Sequence, residues 1–283
     1  ARTISGIFRT HGGTMIYFFD GSKDAFLTAF LLAFRDDIAV FTAGNRQLSL
    51  GQESIFVRTD PQKALQCEKR LMELDKNCIR ELTLLLRSGE EERSQIAFDY
   101  LKLIAKRKRP VRGDLSQDAV IAATECMRRV TYEVHRFKGF VRFMESESGA
   151  LYAPVSPDND ICDLLLPHFR ERIPEIPFVI HDVRRAKAAV WDGSHSFTAP
   201  LEQAEIVLSA DEQSWQSLWR RYYASVNIPS RKRLKQMKGY MPVRYWKFMP
   251  EKPAAATGDL PVREPPANHK ECGDDVLHPL GSS

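Results

Sequence analysis

The sequence predicts an α+β fold: a small, mainly antiparallel sheet packed with several helices, a helical N-terminal half and a disordered C-terminal tail. Three observations carry this. Short β-rich runs come in neighbouring pairs at hairpin distance, 140–144 with 151–155 and 178–183 with 188–192. Stretches with apolar residues at three- and four-residue spacing lie before and between them. The regular strand–helix–strand alternation of a doubly wound parallel sheet is missing.

Taken in order, residues 1–14 show no periodicity and read as loose. The apolar run Met15 to Phe19 stops at Asp20 and Gly21, as a buried strand and turn would. Ser22 caps a helix whose Phe26, Leu27, Phe30, Leu31 and Phe34 share one face. Ser54 to Thr59 is a second strand, and Asp60 with Pro61 opens the next helix as cap and first helical residue. Helices continue to about Lys108, ending in the basic run Lys106 to Arg109. From Ser116 to Phe137, the residues Val120, Ala123, Met127, Val130, Val134 and Phe137 form a core stripe that Gly139 should terminate.

Residues 160–173 read as helical, and Phe178 to Val183 as a strand with a partner at Ala188 to Asp192. Ser209 and Glu212 have capping-box spacing before a helix carrying Trp215, Leu218, Trp219, Tyr222 and Val226 on one face. That stripe assigns Trp215 and Trp219 to the core. Residues 15–251 are the folded region, with a sub-boundary near 109–113 or with the Met15 strand joining the later sheet. Residues 252–283 are rich in Pro, Ala, Gly and Asp and read as a disordered tail.

With 283 residues, 43% hydrophobic and 28% charged, the composition is that of a globular protein, and the net charge of +4 is mild. Five cysteines (67, 78, 126, 162 and 272) form no C-x-x-C pair, which points to reduced thiols and a cytoplasmic setting. The longest apolar run is too short to span a bilayer, so no membrane association is expected. Glycine-rich phosphate loops, nucleophile elbows and zinc-hydrolase or deaminase motifs are all missing, and no cofactor or metal is expected.

Charge is distributed unevenly. Leu218 to Glu251 holds nine Lys or Arg and one acid, Glu251, interleaved with Tyr222, Tyr223, Tyr240, Tyr245, Trp246 and Phe248. Cations neutralise phosphates while aromatic faces stack on unpaired bases of any sequence, so this composition suits single-stranded or distorted nucleic acid. A basic amphipathic helix with its aromatics in the core has the same composition. The residues expected on nucleic acid are Arg231, Lys232, Arg233, Lys235, Lys238, Arg244 and Lys247, with Tyr240, Tyr245 and Trp246 for stacking.

Arg136, Lys138 and Arg142 at a helix-to-strand junction, and Arg184 with Arg185 after a strand, form a second expected group. Pairing with Glu133, Glu145 or Asp182 would give them a structural role instead. His135, His168 and His181, with Glu133 or Asp182, are the catalytic candidates: if they converge, they could share acid–base work or hold a metal.

Four segments together resemble a known family. They are HRFKGFVRF from His135 to Phe143, PDNDICDLLLPHFRER from Pro157 to Arg172, FVIHDVRR from Phe178 to Arg185, and Leu218 through Glu251. They are similar to a bacterial domain of unknown function linked to DNA metabolism and repair. In that family the domain either stands alone beside a radical S-adenosylmethionine protein or precedes a uracil-DNA glycosylase-like domain. IYFFDGSKDAFLTAF, from Ile16 to Phe30, looks like the stand-alone branch. The resemblance implies a DNA-metabolism domain over 15–251, with a radical S-adenosylmethionine partner, and brings no catalytic residues with it. The sequence lacks a glycosylase half, and its scattered cysteines supply no cluster-binding triad. The leading expectation is a DNA-binding accessory factor; a His-centred enzyme on nucleic acid and a protein–protein adaptor are the alternatives.

Overall fold

The computed structural model describes residues 15–36, 39–43, 53–231, 233–252 and 262–263, so the expectations for 1–14 and for most of the tail fall outside the described residues. The fold is α+β and divides into two compact units. The chain crosses from the first to the second after Phe140, returns for Ser156–Arg172, and re-enters the second at Ile173. Residues 109–113 lie inside the first unit.

In the first unit, β1 (Met15–Phe19) lies between β2 (Ala39–Ala43) and β3 (Ser54–Phe56), parallel to both. The Met15 strand therefore belongs to a small parallel sheet of its own and not to the later sheet. Its unbroken apolar run suits a strand covered on both faces. β2 is an element that the sequence reading passes over.

α1 (Lys23–Ala33) begins where expected, the Ser22 hydroxyl accepting the Ala25 N–H at 3.2 Å. Asp60 caps α2 (Pro61–Leu74), accepting from the N–H groups of Gln62 and Lys63. α3 (Cys78–Leu86), α4 (Arg93–Arg107), α5 (Asp118–Phe140) and α6 (Cys162–Arg172) complete the unit. Its core is aromatic: Phe41 stacks on Phe98 with centroids 4.2 Å apart, and Phe19, Phe26 and Phe30 meet these rings at steeper angles. Gly139 does not end α5. It has no positive φ, and the helix runs on to Phe140, which shortens the strand expected at 140–144.

A buried carboxylate organises the return of the chain to this unit. Glu133 of α5 accepts the backbone N–H of Asp158 at 2.9 Å and that of Asn159 at 2.8 Å, together with the Asn159 side-chain amide at 2.6 Å. The Asn159 oxygen accepts from the Gly89 N–H, and Arg87 makes a two-pronged pair with Asp163 at 2.6 Å on each arm. A Cβ at Gly89 would lie 2.5 Å from the Asp158 carbonyl oxygen, so only glycine admits this approach. The segment from Pro157 to Asp163 is thus a clasp within the unit.

In the second unit, a five-stranded sheet runs β4 (Met144–Glu145), β5 (Leu151–Val155), β6 (Phe178–Asp182), β7 (Lys187–Trp191) and β8 (Ser196–Pro200). β5 and β6 are parallel and joined through α6; the other neighbours are antiparallel. Gly149 and Gly193, with φ of +80° and +97°, make the turns before β5 and after β7. β8 is another strand the sequence reading passes over, since most of its residues are exposed.

β9 (Ile206–Val207) pairs in parallel with β10 (Val262–Arg263). Between them come α7 (Glu212–Val226), a 3₁₀ turn Pro229–Arg231, α8 (Leu234–Tyr240) and a second 3₁₀ turn Val243–Phe248. Among the described residues no helix is long and apolar enough to cross a membrane, and Cys67, Cys78, Cys126 and Cys162 are buried and form no disulfide.

Candidate nucleic-acid interface

The start of α7 is fixed by a device other than the expected capping box. The helix begins at Glu212 itself, and Ser209 makes no side-chain cap; its hydroxyl is buried with no partner among the described residues. The Glu212 carboxylate is directed elsewhere, accepting the Glu145 N–H of β4 at 2.9 Å and the Gln216 side-chain amide at 2.9 Å.

Beyond Glu212 the helix is almost wholly uncovered. Trp215 is 59% exposed, and Leu218, Trp219, Tyr222 and Val226 on the same stripe are exposed as well. The expectation that Trp215 and Trp219 belong to the core is therefore corrected. Periodicity shows that residues share a face; it does not show that anything covers the face.

The uncovered stripe borders a strongly basic surface. From Gln213 to Pro250 the sequence has nine Lys or Arg and no acid. Arg220, Arg221, Arg231, Arg233, Lys235 and Lys238 are exposed and carry no ion pair among the described residues. Lys232 falls outside the described residues. Tyr240 is 60% exposed. Tyr245, by contrast, is 3% exposed, with its hydroxyl accepting from Arg244, so its expected stacking role is corrected. The tight 3₁₀ turn folds its ring inward. Trp246 is half-buried, donates its indole N–H to the Met241 carbonyl, and has the Lys252 ammonium 5.1 Å from its ring centre. Its face is occupied too. Lys247 lies over Phe248 at 4.6 Å.

Two buried ion contacts hold this surface in place. Glu251, the lone acid of the basic segment, has a side chain 1% exposed and pairs with Arg142 at 2.8 Å while accepting the Trp219 indole N–H at 3.0 Å. Burial alone would raise its carboxyl pKa, but the Arg142 hydrogen bond, with backbone and Trp219 hydrogen bonds, holds it below the usual range. Arg142 also lies over the Trp219 ring at 5.4 Å. The neighbouring Lys252 ammonium is buried, donates to the Tyr223 hydroxyl at 2.8 Å and lies over the Tyr223 ring at 4.8 Å.

These contacts border two clefts. One, of about 730 Å³, lies between α7, Arg142–Met144 and residues 247–252. The other, of about 520 Å³, is bordered by Arg231, Arg233, Leu234 and Tyr240. Both reach Lys252.

The second expected group of cations is divided by its contacts. Arg142 is committed to Glu251. Arg185 pairs with Asp182 at 2.8 Å, and the Asp182 carboxylate also accepts the backbone N–H groups of Arg184 and Arg185. Arg136 lies over Tyr132 at 4.4 Å, and Lys138 is exposed on α5. The nearby Arg128 and Arg129 pair with Glu125.

The candidate histidines are divided between the two units. His135 and His168 belong to the first unit and His181 to the second. His135 is exposed, and His168 meets the ring of Phe169 edge-on. His181 is buried with both nitrogens engaged, Nε2 at 2.8 Å from the Leu201 carbonyl and Nδ1 at 2.7 Å from the Tyr152 hydroxyl. A carbonyl can only accept, so Nε2 carries the proton and Tyr152 donates to Nδ1. Among the described residues no group of three or more His, Cys, Asp or Glu is placed to hold a metal ion.

Burial lowers the His181 pKa, outweighing the raising effects of the Leu201 hydrogen bond and Asp182. The unfolded chain then takes up the proton first as pH falls. His181 thus contributes stability above its unfolded pKa, about 6.5, and loses it as pH drops toward the lower folded value. A His181→Asn variant should flatten the stability-versus-pH curve below about pH 6.5, as followed by urea unfolding.

Among known proteins, the family described as "Domain of unknown function (DUF4130)" matches residues 91–251, more than half of the chain. No curated protein and no solved structure matches.

Proposed function

Since this chain belongs to the DUF4130 family, we propose that its family region serves DNA metabolism by binding DNA, as an accessory factor to a partner enzyme. The observation that carries this reading is the surface of α7 beyond the buried Glu212, together with α8, where residues 213–250 hold no acid. It presents exposed cations without ion pairs beside exposed aromatic rings. Cations in pairs would be spent; cations left open to solvent can release counterions on a polyanion. Asp211 and Glu212 flank one end of this run and Glu251 the other. Glu251 is already neutralised by Arg142, and the Glu212 carboxylate is engaged by the Glu145 N–H and the Gln216 amide. The resemblance in the sequence supports DNA as the polymer and a radical S-adenosylmethionine protein as the partner. Buried cysteines without a disulfide among the described residues favour the cytoplasm.

Fluorescence anisotropy of labelled single- and double-stranded DNA at several salt concentrations tests the reading. The wild type should bind with affinity that falls as a power of salt. An Arg231→Ala/Arg233→Ala/Lys235→Ala variant should reduce the slope of log affinity against log salt by about 2 to 3, the share of three phosphate contacts. Binding to neither DNA at low salt would reject the proposal.

A second reading draws on the aliphatic part of the exposed stripe. Leu218, Val226 and Ile228 are uncovered and offer nothing to a phosphate, which favours a protein adaptor. A partner complex that survives high salt would support that reading.

A further inference from the structure

The geometry points to a specific occupant for the larger cleft: a single unstacked nucleobase of a distorted or single-stranded DNA. The inference rests on the nucleic-acid reading and narrows it. The cleft's volume of about 730 Å³ lies in the range of small-ligand pockets, about 300–1,000 Å³, which suits one nucleotide rather than a duplex. Its lining pairs flat aromatic surfaces with cations. Trp215, Trp219 and Phe248 supply the rings, and Arg220 and Lys247 stand with them in the lining.

The rings differ in their freedom. Trp219 is anchored by its hydrogen bond to Glu251, and Arg142 lies over it. Trp215 is largely exposed, and its indole N–H has no hydrogen bond among the described residues. A planar base sliding against Trp215 would remove that ring from water, and the anchored Trp219 would keep the cleft open without it. Stacking of this kind accepts any base, because every base has a π face.

The polar groups of the cleft fit a base edge and a phosphate. Gln216 lies in the lining with its amide held by Glu212, which leaves its carbonyl oxygen as an acceptor for a base amino group. Arg220 carries no ion pair among the described residues and suits the flanking phosphate. The second cleft, with Arg231 and Arg233 in its lining, shares Lys252 with the first and offers the neighbouring phosphates a path. An extruded nucleotide costs least where the base is already unpaired, so the protein should select such places.

The test uses the full chain and two duplexes of one sequence, one fully paired and one with a single bulged 2-aminopurine. The bulged duplex should bind about tenfold more tightly, the scale of one base–aromatic stack, and its 2-aminopurine emission should change on binding. Trp215→Ala should abolish both the preference and the emission change. Trp215→Phe should restore part of each. The Arg231→Ala/Arg233→Ala/Lys235→Ala variant should weaken both duplexes alike and keep the preference. Equal, salt-labile binding of both duplexes with unchanged emission overturns the cleft inference and leaves the DNA-binding surface standing. So does a Trp215→Ala protein that behaves as wild type. No binding of either duplex rejects the DNA reading and the cleft with it.

Discussion

Replacing Arg142 by alanine is expected to cost about 3–5 kcal/mol of stability, the scale of leaving one member of a buried ion pair uncompensated. Its partner, Glu251, has a side chain 1% exposed and cannot turn to water without leaving its place. The loss should be local in character, because the same carboxylate holds the Trp219 indole and Arg142 lies over that ring. Trp219 environment, read by fluorescence, should therefore change before global unfolding in urea. A double variant, Arg142→Ala with Glu251→Gln, should recover part of the loss, since the stranded charge is gone.

The pH response carries the sign of the same pair. With its folded pKa held below the unfolded value of about 4.3, Glu251 contributes stability above that pH, and the contribution is lost as pH falls through the folded value. In Arg142→Ala the order reverses. Burial without the cation raises the carboxyl, so the variant should gain stability relative to wild type on acidification from neutral pH to about pH 4.

Glu133→Ala is the second large expected effect. The side chain accepts three hydrogen bonds from Asp158 and Asn159, two of the three donors being backbone N–H groups. Removing the acceptor strands all three at a cost of about 1–3 kcal/mol each, so a total of at least about 3 kcal/mol is expected. Glu133→Gln should fall between: its carbonyl oxygen still accepts, while its NH₂ faces a donor. Urea unfolding should show a lower midpoint for both variants. Hydrogen exchange at Asp158 and Asn159 should show where protection is lost.

How far the sequence was legible depends on what each signal depends upon. Ser22 and Asp60 were readable as caps because a cap is decided within four residues, and both cap as expected. The core stripe of α5 was readable because six apolar positions repeat, whereas the end at Gly139 was not, because a glycine permits a helix to stop without requiring it. Ser209 and Glu212 had the spacing of a box, yet Glu212 found a long-range donor at Glu145 that no local rule can see. β8 lacks a buried face, so it left no alternation to detect.

In the candidate site, charge was the readable part. The acid-free run of cations is written in the sequence, and Arg231, Arg233, Lys235, Lys238 and Tyr240 are exposed as that reading required. Burial of the aromatics was not readable. Tyr245 turned inward and Trp215 outward, the reverse of their expected places. The one signal that could have drawn attention to Trp215, Gln216 and Arg220 is that the acid-free run begins at Gln213, well before the densest cations.

The clasp at Glu133 also sets a timetable. The first unit takes its last helix from residues 156–172, after the chain has spent 141–155 on the second. During synthesis at about 5–20 residues per second, the ribosome releases α5 with its Glu133 carboxylate still lacking the loop it is built to hold. A nascent chain halted near Phe140 would expose that acceptor and the face that α6 completes, making it a natural target for chaperones. Cutting the gene there should yield an incomplete product, whereas a fragment reaching Arg172 should carry all the helices of the first unit described here.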